Sequence, residues 1–341
     1  MNTPIDQHVL VPRGPQAGHI ADLMWFYGGV MALVCLLVWA FVLIALFLRH
    51  ERRSQLAPPQ LDAQLVVAAS AAAEPLTELS SRAERQRLHW VAGATAVTVA
   101  ALFVLLFKSV ATGSLLAQLP SRDALQIEIV GHRWWWSVRY LDSDNPSNIF
   151  STANELHIPV GRPIELKLDS SDVIHSFWVP NLHGKRDLIP GHTTTLRLQA
   201  DVAGTYRGQC AEFCGHSHAQ MALLVVAEPK EQFEAWQKAQ LAPAREPPSA
   251  EAQRGRDVFL QGPCVTCHAI SGTLAQSSYG PDLTHFASRS TLAAGTLPNT
   301  RGHLAGWLLN APNVKPGTPM PNLSLPAADL HALLAYLETL R

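Results

Sequence analysis

Apolar and polar positions divide the chain into four stretches. Residues 23–48 carry no charged side chain and run from Leu23 through Trp25, Phe26 and Tyr27 to Leu48. At about 1.5 Å rise per residue, a helix of this length crosses a bilayer core of roughly 30 Å. Residues 89–110 form a second such run, with Lys108 near its end, placed to snorkel to the interface. From residue 125 the period changes to two. Leu125-Gln-Ile127-Glu-Ile129 and Ile164-Glu-Leu166-Lys-Leu168 alternate, and Leu196-Arg-Leu198 and Met221 to Val225 follow. Turn signals at Asp144-Asn-Pro146, Val160-Gly-Arg-Pro163 and Ile189-Pro-Gly191 separate them, which predicts an all-β sandwich or small Greek-key barrel. Phe233 and Trp236 stand at helical spacing in a short helix before the proline-rich segment Ala242 to Ala250, a semi-rigid linker and domain boundary. The remainder, 251–341, reads as a small all-α module closed by an amphipathic helix from Asp329 to Leu340.

Charge gives the two apolar runs a direction. Arg49, Arg52, Arg53, Arg82, Arg85 and Arg87 lie between them, whereas the first 22 residues carry only Arg13. The positive-inside rule makes 49–88 a cytoplasmic loop and places both termini outside. No cleavable signal is visible before the first span. The alanine-rich stretch from Ala57 to Pro75 is low in complexity, and poor order is expected there. A formal net charge of −1 over 341 residues gives no footprint for nucleic acid.

The cysteines carry the chemistry. Cys210, Cys214, His216, His218 and Met221 fall in one loop, and His175 in Asp172-Val-Ile-His175 offers a further imidazole. Thiolate and thioether are soft donors that favour copper, and two sulfurs are enough to bridge two copper ions. A disulfide between Cys210 and Cys214, or a zinc site from His175, Cys210, Cys214 and His218, remains open on the residues alone. Cys264-Val-Thr-Cys267-His268 is the attachment pattern of a c-type haem, its thiols bonding the porphyrin edge and its histidine the iron; a redox Cys-x-x-Cys is the alternative. Met320 is the one methionine after His268 and suits a second axial position, with His285, His303 and His331 as competitors. Cys35 lies in the first span and reads as packing.

Gly131-His-Arg-Trp-Trp-Trp136, Asp172-Val-Ile-His175-Ser-Phe-Trp-Val-Pro180, Gly184-Lys-Arg-Asp187-Leu-Ile-Pro-Gly191 and the Cys210–Met221 loop resemble subunit II of a haem–copper cytochrome c oxidase with a fused C-terminal cytochrome c domain. The resemblance covers nearly everything from residue 22 onward. It implies a cupredoxin sandwich over 122–228, a helix and linker over 229–250 and a cytochrome c domain over 251–341. It also implies a binuclear CuA centre held by His175, Cys210, the Glu212 carbonyl, Cys214, His218 and Met221, with His216 outside the set. It implies that the Glu212 side chain reaches a magnesium or manganese ion at the boundary with subunit I. On the residues alone the Trp134-Trp-Trp136 run reads as packing; the resemblance instead matches Trp134 to a surface aromatic through which electrons enter. Two positions depart from the pattern. An arginine of Glu84-Arg-Gln-Arg87 stands where many relatives carry a carboxylate at a proton-path entrance, and His192 replaces an arginine.

The implied function is electron input to a proton-pumping terminal oxidase of a bacterial plasma membrane, from cytochrome c or another one-electron donor through haem c and CuA to subunit I. Subunit III is an expected further partner. The chain lacks the intramembrane histidines that oxygen reduction needs. The equivalent subunit of a CuA-containing nitric oxide reductase shares the same motifs. A tethered copper-delivery protein would have no use for Cys264 to His268.

Overall fold

The computed structural model describes residues 5–55, 76–119, 123–141 and 145–341; the alanine-rich stretch and Asp144 lie outside the described residues. Two compact units result, one of residues 22–114 and one joining 1–21 to 115–341.

The smaller unit is made from helices α1 (Pro15–Gln55) and α2 (Leu76–Leu116). Both run beyond the apolar spans that the sequence predicts. Their apolar portions, Pro15–Leu48 and Glu84–Leu116, exceed the roughly 20 residues a bilayer core requires. Large apolar side chains such as Trp25, Phe41 and Phe107 point outward, as lipid-facing residues do. The Tyr27 hydroxyl donates to the Leu105 carbonyl at 3.0 Å, and Lys108 lies 5.5 Å from the centre of the Phe26 ring.

The larger unit holds a two-sheet sandwich. One sheet has the order β4 (Phe150–Ala153), β3 (Trp135–Tyr140), β2 (Leu125–His132), β6 (Ile164–Ser170), β9 (Thr194–Leu198). The other runs β5 (Glu155–Pro159), β11 (Ala222–Glu228), β10 (Gly204–Cys210), β7 (His175–Trp178), β8 (Arg186–Leu188). Strict alternation of buried and half-buried residues in β2 and β6 is the pleat read directly from sequence. Ile127, Ile129, Trp136, Leu166, Leu168 and Phe177 meet between the sheets. Helix α3 (Lys230–Gln240) covers one end, burying Phe233 and stacking Trp236 on His157.

The N-terminal segment is held against the sandwich. Strand β1 (Ile5–Asp6) pairs in parallel with β10, and the Arg13 amide donates to the Asn181 carbonyl at 2.7 Å. Asn181 is fully buried and its side chain bonds His8 and Val11. A two-residue strand with no apolar alternation leaves no signal in the sequence.

Helices α4 (Ala250–Gln261) and α7 (Ala327–Leu337) cross in the C-terminal module, with α5 (Arg301–Leu309) and α6 (Ala311–Val314) between them in the chain. Gly255 makes the crossing possible: a Cβ there would lie 1.9 Å from the Ala332 carbonyl oxygen. The module also contains a two-stranded hairpin, β12 (Thr291–Leu292) and β13 (Leu297–Pro298), an addition to the all-α expectation. The linker does not hang free. Its Ala242 carbonyl accepts from His285, its Ala244 amide donates to the Ser271 carbonyl at 3.0 Å, and Glu246 pairs with Arg256.

Candidate metal and haem centres

Strand β10 delivers Cys210 to the end of the sandwich, where it pairs with Phe177 of β7. The loop then returns to β11, fixed by a bond from the Cys210 amide to the Met221 carbonyl at 2.9 Å. His175 opens β7 on the neighbouring strand. The result is a buried cluster in which His175, Cys210 and Cys214 offer donor atoms within 4.8 Å of one another.

Both thiols are free, with their sulfurs 3.8 Å apart, far beyond the roughly 2.05 Å of a disulfide. Cys214 Sγ lies 3.5 Å from His218 Nδ1 and 3.9 Å from Met221 Sδ. Cys210 Sγ lies 3.8 Å from His175 Nδ1 and 3.1 Å from the Glu212 carbonyl oxygen. His216 is exposed beside Gly317 and makes no contact with the sulfurs among the described residues. The sulfur–sulfur contact drives the two thiols apart in acidity: Cys210 is held low as the anion and Cys214 is pushed up. An anionic sulfur beside a second thiol, two imidazoles and a thioether matches a soft metal.

Asp172 is a contributor to which sequence reasoning assigned no role. Its Oδ1 accepts from His175 Nε2 at 2.8 Å, and its carboxylate also takes the Arg133 and Val173 amides. Burial alone would raise its pKa, but these bonds outweigh burial and lower it. The carboxylate fixes the imidazole with Nδ1 turned to the sulfurs, the arrangement in which a supporting group orients a metal ligand. Gly131 completes the support, because a Cβ there would lie 2.8 Å from His175 Cδ2.

An apolar cavity in the C-terminal module is lined by Cys264, Cys267, His268 and Met320, with Phe259, Leu304 and Trp307 among its walls. His268 Nδ1 donates to the Pro281 carbonyl at 2.7 Å, which leaves Nε2 as the atom for a metal. Burial lowers the His268 pKa, favouring the neutral, ligating imidazole. Gly280 lets its loop pass close: a Cβ would stand 2.9 Å from His268 Cε1. The competitors for the second axial position lie elsewhere. His285 is buried against the linker, His303 bonds Thr300 at 2.8 Å, and His331 is exposed; none lines the cavity. The donor sets and cavity fit a binuclear copper site and a haem.

Trp134 does not have the exposure its resemblance implies. It is 6% exposed and belongs to the wall of the same cavity. Its indole N–H donates to the Cys214 carbonyl at 2.9 Å, while its ring edge lies against Gly317, where a Cβ would be 2.7 Å away. Lys315, 3% exposed, donates to the Trp134 carbonyl at 2.6 Å. The face that would be open on an isolated sandwich is covered by the C-terminal module.

The family described as cytochrome c oxidase subunit II, periplasmic domain, matches residues 125–228, and the family described as cytochrome c matches residues 252–341. Cytochrome c oxidase subunit 2 of Alkalihalophilus pseudofirmus is 32% identical, the match covering 97% of this chain and 90% of that one. The chain belongs to the cytochrome c oxidase subunit II family. The homologue from Bacillus sp. (strain PS3) is 29% identical over 72% of this chain and 73% of its own. Among solved structures, the periplasmic domain of subunit II of cytochrome oxidase from Bradyrhizobium japonicum is 28% identical, covering 36% of this chain and 96% of that one at a TM-score of 0.33. The protein is thus a membrane-anchored electron-transfer subunit of a terminal oxidase, partnered by subunit I. The oxidase domain implies CuA copper and the cytochrome c domain implies haem.

Proposed function

We propose that this subunit takes electrons from an external one-electron donor, such as cytochrome c, at a covalently bound haem c. They then pass through binuclear CuA to subunit I, where oxygen is reduced and protons are pumped. Haem c and CuA supply one-electron storage at different potentials; the chain supplies their ligands, spacing and surroundings. His175, Cys210, the Glu212 carbonyl, Cys214, His218 and Met221 would hold the copper pair, with Cys210 and Cys214 supplying the thiolates. Cys264 and Cys267 would anchor the haem, and His268 and Met320 would ligate its iron. The Glu212 carboxylate reaches magnesium or manganese at the subunit I boundary. Subunit III is a further partner. The basic loop faces the cytoplasm of a bacterial cell, so both termini and the two cofactor domains lie outside the plasma membrane.

One observation carries the electron route: Trp134 is a common wall, bonded to the copper loop through Cys214 and lining the haem cavity. Trp134 is therefore an internal bridge between the two centres, and the exposed side of the haem module receives the donor. Stopped-flow reduction of the intact complex by its native donor tests this. Haem c should be reduced before or together with CuA. CuA filling first, with haem lagging, would overturn the route.

A further inference from the structure

Lys315 is a buried amine with no carboxylate partner among the described residues, and burial pushes its pKa down to about 7. Its ammonium instead donates to three main-chain carbonyls: Trp134 at 2.6 Å, Gln220 at 2.9 Å and Ala293 at 2.9 Å. An ammonium has three N–H donors, so all are used. Two acceptors belong to the sandwich, Trp134 in the turn between β2 and β3 and Gln220 within the thiolate loop, and the third to the haem module that carries the lysine itself. Three carbonyls converge on one Nζ, and burial removes the water that would compete for them.

The surroundings are built around this crossing point. Ala293 and Ala294 hold left-handed backbone angles, φ 54° and 57°, which non-glycine residues seldom adopt. That conformation puts both carbonyls to use at the boundary. The Ala293 carbonyl takes Lys315, and the Ala294 carbonyl takes the Ala222 amide at 3.0 Å. Ser217 donates to the Pro316 carbonyl at 2.7 Å, and Gln220 to the Val314 carbonyl at 3.1 Å. On another side, Glu155 of β5 accepts from both the amide and hydroxyl of Ser290. Backbone strain of this kind persists where its surroundings over-determine it.

We propose that Lys315 is a positioning residue, a clasp that locks the haem module onto the copper loop and makes it a fixed donor, not one that swings on its linker. The clasp joins Trp134 to the module whose cavity Trp134 helps to close. Its effect on electron transfer rests on the cofactor placement proposed above; the locking itself does not.

Two measurements on the intact oxidase complex test the clasp. The first uses the wild-type protein and an acylating amine reagent, read by peptide mass spectrometry. Lys315 should label at least roughly tenfold more slowly than Lys230, whose side chain is 73% exposed, because it reacts only when the modules part. Equal rates would overturn the proposal. The second uses Lys315→Met, which keeps the length and removes the donors. Haem and copper contents should stay at wild-type levels. Amide hydrogen exchange around 134–136 and 220–222 should rise by at least roughly tenfold, and single-turnover electron transfer from haem to copper should slow. Exchange and transfer both at wild-type values would overturn the clasp. A lysine that merely stabilised its own module would lower thermal stability without changing either. If Lys315→Met failed to fold, the wild-type labelling would still decide. A wild-type complex lacking the two-copper or haem spectrum would instead defeat the cofactor assignment and leave the labelling result standing.

Discussion

Replacing Gly131 by alanine should weaken copper binding without touching a ligand. The added methyl carbon would sit 2.8 Å from His175 Cδ2, 3.1 Å from Cγ and 3.3 Å from Cβ. Ordinary contact begins near 3.4 Å, so the nearest atom must move by about 0.6 Å, the difference between 3.4 and 2.8. Neither side yields easily. Gly131 is paired to Trp136 on one side and Ser170 on the other, in the middle of its sheet. His175 has no exposed surface, is tied to Asp172 at 2.8 Å and packs edge-on to Trp136. Metal–ligand distances tolerate only about 0.2 Å, and disturbing a group that supports a ligand costs about 10–100-fold in affinity. That range is about 1.4–2.7 kcal/mol. Copper retained against a graded chelator series reads the change directly, and the EPR spectrum of the two-copper centre shows whether the remaining sites are intact. Retention and spectrum identical to wild type would refute the claim that Gly131 spaces His175.

Ligand substitutions should divide cleanly: Cys214→Ser and His218→Ala abolish the delocalised two-copper EPR signal, whereas His216→Ala leaves it; the reverse pattern would displace His218 from the set. Met320→Ala should keep haem covalently attached yet lower its reduction potential and open the iron to small ligands, as seen by potentiometry and carbon monoxide binding; an unchanged potential would return His285, His303 or His331 to consideration. A chain stopped near Leu241 should fold, retain copper and lose haem, uncovering Trp134 so that an artificial donor reduces CuA directly; failure to accept electrons there would count against the bridge. The Glu155–His157–Glu228 cluster should give the module contact a pH window. Burial opposes the charged forms, but the nearby His157 ring, 3.9 Å away, and bonds from Ser290 lower the Glu155 pKa, while the carboxylates of Glu155 and Glu228, the latter 3.4 Å away, raise that of His157. The Glu155 contribution is present above its ordinary 4.5 and fades as pH falls through its depressed value; the His157 contribution is present below 6.5 and fades as pH rises through its raised value. Thermal unfolding of the haem module across pH checks this, and His157→Phe should remove the alkaline decline.

Features set by local rules were legible in the sequence. Uncharged runs predicted the long helices, alternation marked β2 and β6, and residue chemistry singled out Cys210 to Met221 and Cys264 to His268. What escaped depends on contacts between distant parts of the chain. Trp134 is buried because Lys315 and Gly317, some 180 positions away, lie over it. The Trp-Trp-Trp run looks the same whether covered or open. Asp172 was visible inside a motif, but its bond to His175 Nε2 requires the turn before β7 to bring the two side chains together. Lys315 gave no signal because a lone lysine in a loop is normally solvated.

The pairing of β1 with β10 also dictates a schedule. Ile5 and Thr205 are register partners 200 positions apart, 205 minus 5. At roughly 5–20 residues per second, the ribosome finishes the second strand some 10–40 s after the first. Both apolar helices are synthesised within that interval. Because β1 and β10 share one compact unit, they must end on the same side of the bilayer, which an even number of crossings permits. Insertion of the hairpin therefore comes before completion of the sandwich. Until β10 arrives Ile5 and Asp6 have no register partners, so protection of their amides is a clock for when the sandwich is complete.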